Sequence, residues 1–494
     1  MKKLEELKKA GLDPYPASLK FGVLEIEEVK ENFKKLFKSK KTIGIAGRIM
    51  AKREHGGSAF LDVFDGMGKL QIFLGKDKIG ETSFQLFSST VDVGDFIAVS
   101  GKAFYTKRKE PTLEAAHWQM LAKTILPLPE KWHGLQDIEE RFRKRYLDIL
   151  MNTEVKERFL LRSRIVETLR GLLAEDGFIE VETPILQPLY GGALAEPFKT
   201  HHRMLGMDMY LRIAPELYLK RLLAAGFNKV YEIGKNFRNE GLDATHNPEF
   251  TTIELYEAYR DAKYLRDYIL ALLKNLILKS SGQKSFKFAG NLIKLPQKIP
   301  TISFWQVLER YAMIPQVERL SRDDLALRAR QFGINPEPNE TKEKIADEIF
   351  KKIARPKMIQ PIYVVDYPIA ISPLAKRLSD QVAKWGSGTA GRLESNNDLV
   401  DRFQLIIGGI ELINGFSELN DPEEQRKRFL GQEERRASHD KEAHPMDEDF
   451  IEMLEYGMPP AAGLAISIDR LTMLLSDTHN IKEVILFPTL KPRE

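Results

Sequence analysis

No cysteine occurs among the 494 residues of the chain. That excludes a disulfide framework and any thiolate-held zinc, and it fits a reducing compartment. Long apolar runs are also missing. The nearest candidate, YILALLKNLIL (268–278), is short for a membrane span and is broken by Lys274. The opening MKKLEELKKAG is charged throughout and has no apolar stretch suited to a signal peptide. A cytoplasmic protein without a membrane is therefore expected. The pattern G-x-x-x-x-G-K-[ST] is absent, so any polyphosphate would be held by arginines and not by a phosphate-cradling loop.

What is present is an ordinary globular balance. Hydrophobic residues make up 43% and charged residues 30%, enough for a large buried core and too much apolar content for disorder. At typical sizes the length allows two to four domains. The net charge of +4 is unevenly spread: residues 1–150 hold 27 Lys and Arg against 21 Asp and Glu, the remainder 48 against 50. A basic front on a near-neutral body fits a polyanionic partner such as nucleic acid. It equally fits a lysine-rich solvated surface.

Residues 1–40 read as a helical extension interrupted by Asp13-Pro14-Tyr15-Pro16. Over 41–126 the texture changes to short alternating runs, TIGIAGRIM, AFLDVFD, KLQIFLG, DFIAVSGKAFYT and LEAAHWQMLA, parted by Asp65-Gly66 and Val93-Gly94-Asp95. Five strands in this length suit a small closed barrel of the OB type, a frequent nucleic-acid reader. Residues 127–152 read as a linker, stiff at Leu126-Pro127-Leu128-Pro129 and charged and helical after it. Over 154–176, Val155, Phe159, Ile165, Leu169 and Leu172 have the spacing of a half-buried helix, with Gly177 placed to cap its end. The rest of 153–494 alternates long helices and strands, an α+β body on a mainly antiparallel sheet flanked by helices. A charged helical insertion is expected at about 318–358.

The stretch KVYEIGKNFRNEGLDATHNPEFTTIELYEAY (229–259) has alternating apolar runs on both sides of a polar middle, as in a hairpin with a long loop. Arg238 and Glu240 would project from the first strand and Phe250, Glu254 and Tyr256 from the second. An arginine on a sheet floor suits a phosphate or carboxylate, and Glu254 with Tyr256 could grip a cation. A hairpin with cross-strand ion pairs explains each residue taken singly.

The stretch resembles motif 2 of the class II aminoacyl-tRNA synthetases, the lysine-specific type in particular. GFIEVETP (177–184) is similar to motif 1, which forms the dimer interface in that family, and GLAISIDRLTML (463–474) is similar to motif 3. In motif 3 a strand gives way to a helix, where Asp469 is expected as the cap and Arg470 beside an anion-favouring end. The likeness continues through HGLQDIEERFRKRYLD (133–148), YLRIAPELYLKR (210–221), GFSELNDP (415–422) and VILFP (484–488), nearly the whole chain. The class I signatures of the HIGH and KMSKS type are absent. The resemblance implies a class II catalytic domain behind an OB-fold anticodon-binding domain, a homodimer joined through motif 1, and L-lysine, ATP and tRNA(Lys) as partners, with Mg²⁺ as cofactor.

It also implies roles. Arg238 would hold the lysine carboxylate and the α-phosphate, and Arg470 the γ-phosphate end of a bent ATP; these two are the expected catalytic residues. Phe250 would stack on adenine, with His246 and Glu240 near the nucleotide. Glu216 and the Gly192 backbone would take the α-amino group. Glu254, Tyr256 and Glu418 would surround the ε-ammonium, with Asn414 and Phe416 positioning the carboxylate. Several glutamates in one pocket suit lysine, which carries two ammonium groups, and not the acid or amide substrates of the aspartyl and asparaginyl relatives.

One departure stands out. Two acidic residues ahead of the substrate motif usually bind magnesium in the family. In DRFQLIIGGIELINGF, Glu411 is present and the other position is Gln404. A neutral amide holds a hard cation with less charge, so weaker or rearranged Mg²⁺ binding is expected. In the barrel, Phe60, Gln71 and Glu110 would stack on and read the middle anticodon base, unless Phe60 is simply core. GSGTAG (386–391) fits G-x-G-x-x-G but follows a helix-like stretch, which argues against a dinucleotide site. His201-His202 lacks a third ligand at zinc spacing and reads as scaffold. Two other functions share these features. A paralogue modifying a protein lysine would typically lack the barrel. A non-enzymatic RNA binder would not need Arg238, Glu240, Glu254, Glu418 and Arg470 together.

Overall fold

A computed structural model describes residues 1–129, 135, 137–378, 399–437 and 442–493. The GSGTAG segment and part of 133–148 lie outside the described residues. The chain forms two compact units, Met1–Met151 and Asn152–Glu494.

The first unit is a closed five-stranded barrel of β1 (Thr42–His55), β2 (Ser58–Phe64), β3 (Lys69–Gly75), β4 (Phe96–Tyr105) and β5 (Pro111–Ala122), in the order β1-β2-β3-β5-β4 with β1 closing on β4. Strands β3 and β5 run parallel and the other pairs antiparallel. All five expected strands are there. Alternation explains the closure: Ala59, Leu61 and Val63 on β2 and Leu70, Ile72 and Leu74 on β3 point inward and are buried. The helix Glu81–Thr90 adds Phe84 and Phe87 to this core. The helices Lys2–Lys9, Ile26–Glu31 and Phe33–Ser39 add Leu7, Ile26, Val29 and Phe33. Closure leaves no free edge for pairing with another chain.

The second unit contains β6 (Ile179–Glu180), β7 (Leu186–Gln187), β8 (Lys199–His202), β9 (Met207–Leu211), β10 (Lys229–Phe237), β11 (Glu249–Ala258), β12 (Ser285–Phe288), β13 (Asn291–Lys294), β14 (Thr301–Ser303), β15 (Ile362–Pro368), β16 (Leu399–Ile407), β17 (Ile410–Ser417) and β18 (Ala461–Ser467). Its main sheet has the order β14-β15-β16-β17-β18-β11-β10-β6; only β14–β15 and β10–β6 are parallel. Strand alternation gives the sheet two different faces. Tyr231, Ile253, Leu255, Phe403, Leu405, Ile413, Leu464 and Ile466 enter a core shared with two long helices, Thr153–Glu175 and Ala262–Ser281. The second of these is bounded by an Asp261 N-cap and a left-handed Gly282. Each fully buried Leu or Ile stabilises this layer by about 1.5–3 kcal/mol.

The opposite face is covered only in part. The insertion packs Leu325, Ala326, Ile345, Ile349 and Phe350 with Val364, Tyr367, Val400 and Ile406 of β15 and β16. It comprises the helices Arg322–Gln331 and Lys342–Ile349, a widened π-helical turn at Phe350–Ala354 and a tight 3₁₀ turn at Arg355–Lys357. At the other end of the sheet the helices Glu216–Ala224 and Glu448–Tyr456 cover the same face. Polar residues line the ground between.

Candidate active site

The open face takes alternate residues from five adjacent strands. Phe250, Thr252, Glu254 and Tyr256 of β11 stand opposite Asn236, Gly234, Glu232 and Val230 of β10, and the last three of them opposite Ser467, Ala465 and Gly463 of β18. Asn414 and Phe416 of β17 pair with Gln404 and Arg402 of β16. By simple alternation Glu411 would point away from Asn414. It does not, because the pairing skips one residue: Leu405 faces Ile413 while Ile406 faces Glu411. Leu412 and Ile413 both turn into the helix-covered core, and Glu411 joins the polar face.

One end of this face is a pocket of carboxylates. Glu216, Glu254 and Glu418 are all buried, and the Tyr256 hydroxyl donates to Glu254 Oε2 at 3.3 Å. Lys220, which sequence reasoning missed, enters the same pocket with no exposed surface. It stands one helical turn after Glu216 and donates to Glu216 Oε1 at 2.6 Å. Its ammonium lies 2.5 Å from Glu418 Oε2 and 5.3 Å from the centre of the Phe416 ring. The contact with Glu418 is an ion pair without hydrogen-bond alignment, so both Glu418 oxygens are buried with no hydrogen-bond partner among the described residues. Burial, then the Glu216 charge, pushes the Glu254 carboxyl up to about 8. Burial raises Glu216 and Glu418 as well, against the pull of Lys220. Burial lowers Lys220, but its two carboxylates outweigh that and hold it above the ordinary lysine value. Opposite Glu254, Glu232 is neutralised by the buried Arg212, a short contact, and accepts the Thr183 hydroxyl at 2.7 Å. Gly463 makes room: a Cβ there would run into the Tyr256 ring and lie 2.6 Å from Glu418 Oε1. Gly192, at φ +88°, lies against Glu216 in a backbone form that disfavours a side chain.

The other end is cationic. Arg238 stacks its guanidinium 5.1 Å from the Phe250 ring centre, and its Nε is buried without a partner among the described residues. Arg470 lies in the first turn of the helix Ile468–Leu475, where the Ser467 hydroxyl accepts the Arg470 N–H. Ser467 is thus the N-cap. Asp469, expected in that role, is fully buried in the first turn, accepts the Thr251 N–H at 2.7 Å and pairs with Arg162. Arg470 Nη1 donates to the Glu411 carbonyl at 2.9 Å and Nη2 meets His246 Nε2 at 3.3 Å. His246 Nδ1 in turn contacts Asp243 Oδ2 at 2.8 Å. Arg355 Nη1 lies 3.5 Å from Glu411 Oε2. Burial alone would raise the Glu411 carboxyl, but Arg470, Arg355 and Arg402 hold it below the usual range. Gln404 Oε1 accepts the Tyr367 hydroxyl at 2.8 Å, and Asn414 Oδ1 accepts Arg402 Nε at 2.8 Å.

Most of the residues read from sequence therefore share one face. Glu216, Gly192, Glu254, Tyr256, Phe416 and Glu418 gather at its acidic end, and Arg238, Phe250, His246, Glu411 and Arg470 at its basic end. Asn414 and Gln404 lie between. Arg238 and Glu240 do not project from β10, which ends at Phe237; both lie in the loop beyond it, where the Arg238 N–H bonds to the Pro248 carbonyl. Glu240 is exposed there and forms no ion pair among the described residues. His201 and His202 sit on the β8–β9 hairpin, with His201 exposed and paired to Asp208. Lys220, Arg355, Arg402 and Tyr367 had no distinct sequence signal. Lys220 follows Glu216 at i+4, a spacing that exposed helix ion pairs share.

On the barrel, Phe60 is half-exposed on the outer face and is not core. Its ring lies 5.0 Å from Phe73, which meets Phe104 at 6.0 Å. Gln71 is on the same face, and the Thr112 hydroxyl touches both Gln71 Oε1 at 3.0 Å and the Glu110 carbonyl at 3.1 Å. Gln71 thus lies on the aromatic face, and Thr112 links it to the backbone of Glu110.

Residues 137–491 match the family of tRNA synthetases class II (D, K and N), and residues 43–121 match the OB-fold nucleic acid binding domain. A lysine–tRNA ligase of Carboxydothermus hydrogenoformans is 45% identical over 494 residues, covering 100% of this chain and 97% of the relative. One of Moorella thermoacetica is 42% identical over 498 residues, with 100% and 97% covered. One of Chloroflexus aurantiacus is 44% identical over 494 residues, with 99% and 97% covered. With an OB barrel in front and an antiparallel sheet that carries opposed acidic and basic ends, the chain belongs to the class II tRNA synthetases of the D, K and N group and, within it, to the lysine–tRNA ligases.

Proposed function

We propose that the protein activates L-lysine with ATP to lysyl-adenylate, releasing pyrophosphate, and then transfers lysine to the 3′ end of tRNA(Lys). The observation that carries this reading is the charge count of the acidic end. Glu216, Glu254 and Glu418 meet there, and among the described residues Lys220 is the one cation in ion-pair contact with any of them. A guest with two ammonium groups would balance the pocket, and the Glu418 oxygens, ion-paired to Lys220 but without a hydrogen-bond donor among the described residues, are suited to receive one. Glu254, Tyr256 and Glu418 take the ε-ammonium, while Glu216 and the Gly192 backbone take the α-amino group. Asn414 and Phe416 position the carboxylate toward Arg238.

The lysine carboxylate attacks the α-phosphorus and pyrophosphate leaves. Arg238 offsets the charge that builds on the phosphorus oxygens, and Arg470 holds the γ-phosphate end. Phe250 supplies a face for adenine, with His246, tethered to Asp243, beside Arg470. Glu240 is the loop residue that would close on the nucleotide. The tRNA ribose hydroxyl then attacks the adenylate. Alignment of bound groups supplies most of the acceleration, and no general base is needed for the first step.

Magnesium is the cofactor implied by the resemblance. The donors at its expected position do not fit a metal held by the protein. Gln404 Oε1 is taken by Tyr367, Glu411 faces Arg355, and no cluster of three or more His, Cys, Asp or Glu able to hold a metal occurs among the described residues. No step here runs through such a metal.

The barrel face of Phe60, Gln71 and Glu110 reads the anticodon, supported by its half-buried aromatic surface of Phe60, Phe73 and Phe104. A homodimer through the motif 1 region is supported by Ile179, Ile185 and Leu186, apolar and exposed around the short edge strand β6. The site of action is the cytoplasm; no helix among the described residues is long and apolar enough to cross a membrane. The test is amino-acid-dependent ATP–pyrophosphate exchange with lysine, aspartate, asparagine and no amino acid. Exchange with lysine alone is expected, and tRNA binding without any exchange would leave only an RNA-binding protein.

A further inference from the structure

The turn Arg355–Lys357 is fixed to the tip of the β16–β17 hairpin by its following residues. The Gly408 N–H bonds to the Ile359 carbonyl at 2.8 Å and the Gly409 N–H to the Met358 carbonyl at 3.0 Å. Gly409, at φ +74°, lies so close to Pro356 that a Cβ would stand 3.0 Å from its carbonyl oxygen. The change from a π-helical turn at Phe350–Ala354 to a 3₁₀ turn breaks the helical register just before Arg355. The result is a guanidinium only 15% exposed, whose Nη1 faces Glu411 and whose Nε is buried with no hydrogen-bond partner among the described residues.

Two guanidiniums therefore converge on one glutamate, Arg470 on its backbone carbonyl and Arg355 on its carboxylate. The neighbouring cations are already engaged: Lys351 with Asp347 at 2.7 Å and Arg402 with Asn414. Gln404 contributes no charge. This end of the site carries an excess of fixed positive charge and a free N–H, which suits a polyanion and opposes a second cation.

We propose that Arg355, delivered by the helical insertion, is a nucleotide-binding residue that grips the β- and γ-phosphates of ATP beside Arg470. The inference rests on the nucleotide site described above. Arg355 thereby takes over charge neutralisation at a place where the donors for a protein-held metal are lacking, and ATP binding persists without divalent cation.

The test is equilibrium binding of ATP, inorganic pyrophosphate and AMP by calorimetry, in EDTA and in magnesium, to the full-length protein and to Arg355→Gln, Arg355→Lys, Glu411→Gln and the Arg355→Gln/Glu411→Gln pair. In EDTA the wild type binds ATP, and Arg355→Gln weakens ATP and pyrophosphate about ten-fold or more while leaving AMP unchanged. Arg355→Lys retains most of the affinity, and Arg355→Gln has the same effect in the Glu411→Gln background. The proposal is overturned if ATP affinity is unchanged by Arg355→Gln, if AMP weakens equally, or if the effect vanishes once Glu411 is gone, which would leave Arg355 only as its counter-ion. A wild type that binds neither ATP nor AMP would instead overturn the nucleotide-site reading itself.

Discussion

The ammonium of Lys220 donates to Glu216 Oε1 at 2.6 Å, from one helical turn further along, with both side chains removed from solvent. The pocket thus carries a built-in ammonium of the kind proposed for its guest. Without it, three carboxylates would share a site of low polarity, and some would take up protons.

Lys220→Met is expected to lower stability by about 3–5 kcal/mol at pH 8, because it strands buried carboxylates. Losing the counter-ion raises their folded pKa values further above the unfolded ones. The variant's stability is therefore greatest in acid and is lost as pH rises through those raised values. Urea unfolding at pH 6 and pH 8 should show the larger deficit at pH 8. Equal deficits would mean that Lys220 matters by packing alone.

Lysine binding is expected to release a proton. Burial and the Glu216 charge push the Glu254 carboxyl up to about 8, so it is largely protonated at pH 6.5, and an incoming ammonium favours the ionised form. Affinity should rise by up to about ten-fold per pH unit between pH 6 and pH 8, the limit for one proton. Calorimetry in buffers of different ionisation enthalpy measures the release directly. Glu254→Gln should bind lysine more weakly and with a flatter pH dependence; an unchanged slope would clear Glu254 of this role.

Gln404→Glu places a second carboxylate beside Glu411 and keeps an acceptor for Tyr367. The magnesium concentration for half-maximal pyrophosphate exchange should fall. A dependence identical to the wild type would show that the amide at this position is not what limits the metal.

Phe60→Ala removes a half-buried ring from the outer face of the barrel and leaves the barrel core intact, so the fold should persist. Transfer-RNA affinity should drop by about 1–3 kcal/mol, the usual value of one stacked base. Lysine-dependent exchange without tRNA should be unaffected. Measuring both separates a binding face from a folding defect.

Much of this could be read from the chain. Five alternating runs gave the barrel, because inward and outward positions differ in polarity at every second residue. The β11 side chains Phe250, Glu254 and Tyr256 followed from the same period. Arg238 was placed on a strand because the apolar pattern does not mark where pairing stops. Asp469 was taken as a cap because the preceding Ser467 offers the same chemistry two residues earlier. Lys220 was hidden because an i,i+4 ion pair has one spacing whether it is bathed in water or sealed from it. Arg355 lies 56 residues before Glu411 in the chain, and only the docking of the insertion onto the hairpin brings the two together.

The skipped residue between β16 and β17 lets one strand serve two layers. Glu411 reaches its face because Leu412 and Ile413 together turn inward. Removing Leu412 would leave Glu411 two positions from Asn414, so strict alternation alone would keep both on the polar face. The extra residue therefore serves the other layer: it gives the helix-covered core a second consecutive aliphatic side chain and displaces nothing from the site. A single-codon deletion at this hairpin is a loss of packing, whereas straightening the strand at constant length would turn Glu411 into the hydrophobic layer.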